Sequence, residues 1–287
     1  MNSSECSLSQ RVEQDFKIEL ENRLVRTSLS PELGGKPWNL WHKPTGTPWL
    51  WHNPNVGLKT TSLGTCYDNN WAGGWEELFP NDAPGEFMGR ELPDHGEWWN
   101  QAWQWELAEQ SPERISIHLW RESMLTHTFC EKWVTLARET ARVSIRYRIV
   151  NLGAERLHFS SKQHLALAVT PAHRRDLPGG KVTPVDLEFS TWIGTARAFE
   201  WPIAVGPNGE AVDLSILPPN ELAQREFVYA YDLPAGWCGV ADPRTGVRMR
   251  LHFDREVFPL HVAVYDVRRL ARLILWFSSP ARTCQRI

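Results

Sequence analysis

The run Arg142-Val143-Ser144-Ile145-Arg146-Tyr147-Arg148-Ile149-Val150-Asn151 decides the fold. Val143, Ile145, Tyr147 and Ile149 alternate with Arg142, Ser144, Arg146 and Arg148, giving one apolar and one charged face at period two. A half-buried antiparallel strand requires that pattern. Ile115, Ile117 and Leu119 repeat it upstream, and Met249, Leu251 and Phe253 repeat it downstream. His158 to Val169 reads as a further strand that becomes more apolar towards its end. Turn signals separate the runs: Asn151-Leu152-Gly153, Pro178-Gly179-Gly180, Pro207-Asn208-Gly209 and Asp242-Pro243 to Gly246. Strands punctuated by turns, with no long helical period, predict an all-β sandwich or barrel.

Composition sets the outer bounds. The chain has 287 residues, enough for one large domain or two ordinary ones and for a full hydrophobic core. Residues 1–22 read as a polar lead-in and 23–287 as one domain without internal repeats. A formal charge of −3, with 24 Arg and 7 Lys spread along the chain, argues against a nucleic-acid partner. No apolar run reaches the ~20 residues of a membrane span, and the start lacks the pattern of a secretory signal. The 5 cysteines are odd in number and far apart, with no C-x-x-C pair. That predicts neither a disulfide framework nor a zinc site, and a reduced cytoplasmic compartment.

The segment from Trp38 to Trp105 has a different texture. It holds 10 of the 16 tryptophans, among many Gly, Pro, Asn and Asp. It reads as long loops and short strands that gather rings and polar tips. Any single ring reads as core. The cluster as a whole reads as the wall of a ligand site, because indoles offer flat apolar faces that match the C–H faces of sugars.

Three short stretches carry the chemistry: Trp75-Glu76-Glu77-Leu78-Phe79-Pro80-Asn81-Asp82, Pro93-Asp94-His95-Gly96-Glu97-Trp98-Trp99 and Gln163-His164-Leu165-Ala166-Leu167. By itself His95 is equally a surface turn residue, and His164, entering an apolar strand, reads first as a core histidine. A metal site built from His95, Glu97 and His164 has no specifying spacing, so neither metal nor cofactor is expected.

In order and spacing these stretches resemble the aldose 1-epimerase, or galactose mutarotase-like, family. The resemblance runs from about Leu24 to Pro259. It includes Ser30-Pro31-Glu32-Leu33-Gly34-Gly35-Lys36 and Arg175-Asp176-Leu177-Pro178. It implies a large two-layer antiparallel β-sandwich with a sugar site on a concave sheet face. It also implies interconversion of the α and β anomers of an aldose through ring opening. His164 matches the family's acid, and His95 the histidine beside the ring oxygen. Trp75, Glu77, Asn81 and Glu97 fall where sugar contacts are expected. Histidine suits proton transfer because its ordinary pKa of about 6.5 lies near working pH. A non-catalytic sugar-binding module on the same fold is the alternative. A glycosidase ranks third, with Glu77 and Glu97 as its carboxylates only if they face each other at about 5–10 Å. Arg90, Arg174 and Arg175 are available for a phosphorylated sugar, but nothing in the sequence brings them together.

The family's general base, a glutamate in a C-terminal Glu-Pro pair, has no counterpart here. The last 23 residues, Tyr265 to Ile287, hold five Arg, no Lys, no Gly and one acid, Asp266. This shift reads as a change of reading frame. With permitted codons, Val264 to Ile274 decodes as Phe-Met-Thr-Tyr-Gly-Gly-Trp-Arg-Asp-Leu-Tyr. A second offset over Trp276 to Gln285 gives Val-Leu-Glu-Pro-Cys-Thr-Asn-Met-Pro, its glutamate straddling Ser278 and Ser279. The alternative is a genuine divergent tail, with Val262, Val264 and Leu273 to Phe277 in ordinary strands. A shifted tail would also put Arg268, Arg269 and Arg272 where apolar residues should alternate, and so lower stability.

Overall fold

The computed structural model describes residues 7–11, 17–87, 89–258, 260–266 and 272–284. The chain divides into two compact units, 1–161 with 281–287, and 162–280.

The first unit is built from two antiparallel sheets. Strands β1 (Ser7–Arg11), β2 (Lys17–Glu21), β3 (Val25–Ser30), β4 (Lys36–His42) and β5 (Thr47–Pro48) form the first, in that order. The short helix α1 (Tyr67–Asn70) follows, then β6 (Trp75–Leu78) and the hairpin of β7 (Gly85–Phe87) and β8 (Arg90–Leu92). Strands β9 (Gln104–Gln110), β10 (Arg114–Ser123), β11 (Thr128–Ala137) and β12 (Val143–Asn151) form the second sheet, in the order β12-β11-β10-β9.

Their inner faces share one core. Ile18, Leu20, Val25 and Leu29 come from the first sheet, and Ile115, Ile117, Leu119, Val134 and Leu136 from the second; Phe79, Trp98 and Trp103 complete it. Val143, Ile145, Tyr147 and Ile149 pack against this core from β12, as the alternation predicted. Arg146 and Arg148 point the other way, and Ile145 lies opposite Val134 in register. Ile18 and Leu20, at 2% and 0% exposure, are part of this core, and β2 pairs with both β1 and β3.

Strand β13 (Leu157–Ala168) runs from the end of the first unit into the second. The second unit continues with β14 (Arg174–Asp176), β15 (Lys181–Pro184), β16 (Phe199–Glu200), β17 (Ile203–Val205) and β18 (Ala211–Asp213). Then come β19 (Arg225–Tyr231), β20 (Trp237–Ala241), β21 (Arg248–His252), β22 (Leu260–Asp266) and β23 (Arg272–Cys284). One sheet runs β16-β15-β19-β22-β23-β13, and a second runs β14-β20-β21. Val182, Ile193, Ala204, Val212, Leu214, Val228, Ala230 and Leu233 form this unit's core. Pro207-Asn208-Gly209 turns between β17 and β18, and Asp242 to Gly246 between β20 and β21, where the sequence places turns.

The C-terminal backbone forms paired strands, with Val262 opposite Trp276 and Val264 opposite Ile274. Arg268 and Arg269 lie outside the described residues, and of Arg272 only the backbone is described.

Candidate functional site

Two glutamates side by side on β6 organise the first unit. Successive side chains of a strand point to opposite faces, so Glu76 and Glu77 enter different surroundings. Both are buried, at 0% and 1% exposure. Glu76 accepts from Lys36 Nζ at 2.5 Å and from Tyr67 Oη at 2.7 Å. Glu77 accepts from Lys132 Nζ at 2.9 Å and from Tyr147 Oη at 2.8 Å. Lys132 also donates to the Gly34 carbonyl at 3.0 Å and sits 4.6 Å from the Trp103 ring centroid. A buried carboxylate is tolerable only when paired in this way. Burial pushes the Lys132 ammonium down from its ordinary range, and Glu77 pulls it back up.

His95 is fixed from three sides. Its backbone lies in the left-handed region at φ 62°, uncommon for a residue with a side chain. Its N–H donates to the Asp82 carbonyl at 2.8 Å, and Glu97 N–H donates to the Phe79 carbonyl at 2.8 Å. The Asp94-His95-Gly96-Glu97 turn is thus zipped onto Phe79-Asp82. Gly96 makes this possible: at φ 71°, a Cβ there would sit 2.1 Å from the Phe79 oxygen.

The imidazole stacks face to face on Tyr67, with centroids 3.5 Å apart and planes 5° apart. Nδ1 lies 2.8 Å from Asp94 Oδ1. A proton on Nδ1 shared with that carboxylate makes Nε2 the basic nitrogen of the neutral ring. The His95 side chain keeps 13% exposure.

The other expected residues are placed as follows. Trp75 is buried in β6 at 6% exposure. Asn81 donates from Nδ2 to the carbonyls of Ala83 (2.9 Å) and Pro93 (2.7 Å), and its buried Oδ1 has no hydrogen-bond partner among the described residues. It lines a cleft of about 310 Å³ with Asp82, Glu86, Leu92 and His158. Glu97 is 0% exposed and accepts from Leu125 N–H and Thr126 Oγ1, holding the 125–126 backbone. Glu77 and Glu97 are therefore engaged in the fold's own fastenings, a different role from the expected contact with sugar hydroxyls. Of the 10 tryptophans in the aromatic segment, Trp38, Trp49, Trp71, Trp75, Trp98, Trp99 and Trp103 are buried, so most of the cluster is core. His164, in the second unit, is buried at 1% exposure on β13, beside Lys162 and Gln163 at 5% and 7%.

Sequence reasoning missed Tyr67 altogether: a lone tyrosine in Thr65-Cys66-Tyr67-Asp68 carries no local signal. Asp94 was in view as a neighbour of His95, but its hold on Nδ1 follows from the turn geometry alone. Among the described residues no group of three or more His, Cys, Asp or Glu is arranged to hold a metal ion, and no helix is long and apolar enough to cross a membrane.

No protein-family model and no curated protein matches the chain. Solved structures do. A galactose mutarotase-like protein from Clostridium acetobutylicum superposes with a TM-score of 0.69 at 12% identity, over 97% of this chain and 94% of the other. A galactose mutarotase related enzyme from Lactobacillus acidophilus gives 0.62 at 12% identity, over 94% and 87%. The Slr1438 protein from Synechocystis sp. PCC 6803 gives 0.67 at 16% identity, over 96% and 92%. At such identities the likeness is one of fold, and it agrees with the antiparallel sheets described above: this chain has the galactose mutarotase-like β-sandwich fold.

Proposed function

We propose that the chain binds an aldose and interconverts its α and β anomers. The observation that carries this reading is the held imidazole of His95, with Nδ1 on Asp94 and one face on Tyr67. A ring fixed in this way meets a sugar ring oxygen in one set orientation, as binding and polarising that oxygen needs. A proton delivered to that oxygen, with loss of the proton on the anomeric hydroxyl, opens the ring to the aldehyde. Rotation about C1–C2 and reclosure give the other anomer. By the resemblance His164 takes the part of the acid and His95 that of the imidazole beside the ring oxygen, and Asn81, which lines the cleft, is a sugar contact.

The proton on the anomeric hydroxyl needs a base, and the tail as written holds no glutamate after Glu256. This supports a second reading on the same fold, a sugar-binding module without turnover. It also makes slow exchange the expectation for this chain, and faster exchange, by about 10²–10⁴-fold, the expectation for a frame-restored version. The gene's codons test the frame directly: if they cannot spell Leu-Glu-Pro in another frame, the restored version has no basis.

The deciding experiment is anomer exchange by polarimetry and NMR over free hexoses, hexose phosphates and deoxy sugars. His95→Asn is expected to remove about 10²-fold or more of the exchange rate. Sugar binding without accelerated exchange, in both this chain and the restored one, replaces the isomerase reading with the binding module. Loss on His95→Asn with none on His164→Asn leaves His164 a core residue.

A further inference from the structure

The first unit contains a buried chain of polar groups that ends on His95. Lys36 Nζ meets Glu76 Oε1 at 2.5 Å, and Glu76 Oε2 accepts from Tyr67 Oη at 2.7 Å. Tyr67 in turn lies flat against the imidazole at 3.5 Å. Lys36, Glu76 and Tyr67 are at 3%, 0% and 3% exposure. The Trp99 ring meets Tyr67 edge-on at 4.9 Å and 78°, and Trp71 lies at 6.2 Å. The tyrosine is thus clamped at its oxygen and at its ring before the histidine is considered.

Three features make this more than packing. A core tyrosine needs only one partner for its hydroxyl, yet this one meets a carboxylate that itself carries a buried lysine. The stack is close as well as parallel, 3.5 Å between centroids and 5° between planes, so the tyrosine covers one whole face of the imidazole. And the imidazole is pinned at its other degree of freedom by Asp94 at 2.8 Å. Rotation about the Cβ–Cγ bond of a histidine swaps the places of Nδ1 and Cδ2. The Asp94 contact selects the flip that turns Nδ1 to the carboxylate, and the Tyr67 face blocks the swing out of plane.

We propose that Tyr67, held by Glu76 and Lys36, is a positioning residue that fixes the ring orientation and tautomer of His95, with Nδ1 on Asp94. The chemical consequence rests on the isomerase reading above; the orientation itself does not. Burial and Glu76 push the Tyr67 hydroxyl well above its ordinary range, so it stays protonated and keeps donating through the whole working pH span.

The test uses the full chain with ¹⁵N-labelled histidine, reading the ring nitrogens of His95 by long-range proton–nitrogen NMR. Wild type is expected to show one Nδ1–H tautomer. Tyr67→Leu, which removes the stacking face, is expected to give averaged nitrogen shifts. Tyr67→Phe keeps the face and is expected to return the wild-type pattern. In exchange assays Tyr67→Leu is expected to lower kcat by about 10²-fold, the scale of a misplaced catalytic group, with KM little changed. Should Tyr67→Leu not fold, Glu76→Gln loosens the hold on Oη and is expected to broaden the same signals. Unchanged His95 signals in these variants overturn the proposal. Altered signals in a protein that exchanges no sugar uphold the positioning role and overturn only the isomerase reading.

Discussion

Single residues here act through contacts that neighbours in sequence do not announce. Gly96 is the clearest. It sits at φ 71° with the Phe79 carbonyl where a Cβ would go. Gly96→Ala therefore meets both the left-handed penalty, about 1–2 kcal/mol, and a steric clash. A loss of stability at least that large is expected in urea denaturation, with the Asp94–Glu97 turn displaced from Phe79. His52 shows the same dependence on place. It stacks on Trp38 with centroids 3.9 Å apart, and its Nε2 lies 2.7 Å from the Trp38 carbonyl. Its presence in the Trp-rich segment is visible in sequence, but the contact that half-buries it against Trp38 is not.

At the scale of elements, β6 is held by two ion pairs on opposite faces. Lys132→Met leaves Glu77 charged in the interior and is expected to cost about 3–5 kcal/mol. The double variant Lys132→Met with Glu77→Leu is expected to recover most of that loss, because an apolar pair of similar volume replaces a desolvated ionic one. Equal instability of the single and double variants in denaturant titrations contradicts this. On β19, Glu226 is buried at 0% exposure and accepts from the N–H groups of Trp192 and Ile193. Burial raises its pKa, against the pull of these hydrogen bonds and of Ser190. A raised carboxyl stabilises the fold fully below the unfolded value of 4.5 and loses that contribution as pH rises through the folded value. Glu226→Gln, neutral at every pH, is expected to flatten that slope in stability measured from pH 4 upward. The strands themselves were legible: β10, β12 and β21 follow the alternation of Ile115 to Leu119, Val143 to Ile149 and Met249 to Leu251. The fastenings were not. Glu77 meets Lys132 and Tyr147 at separations of 55 and 70 residues, so no window of sequence contains both partners.

For the whole molecule, each unit carries a histidine held below its ordinary value chiefly by burial, His52 in the first and His173 in the second. A depressed histidine contributes stability that is present above the unfolded value of 6.5 and lost as pH falls through the folded one. Stability is therefore expected to decline below about pH 6.5, and to decline less in His52→Gln and His173→Gln variants. The two contributions sit in different compact units, so opening of each unit, followed by hydrogen exchange, is expected to respond to its own histidine.

What the sequence by itself determined is the class of the fold: period-two alternation and glycine–proline turns act over two to five residues, and their physics is complete within that span. It also placed His95 and Asn81 on the irregular segments between strands. Only the tertiary structure decided that most tryptophans of the Trp38–Trp105 segment are core, that β1 and β2 join the sandwich, and that Glu77 and Glu97 are fasteners. The physical reason is that the worth of a buried charge or ring depends on the partner facing it, and that partner is brought in by the closing of sheets whose strands lie far apart in the chain.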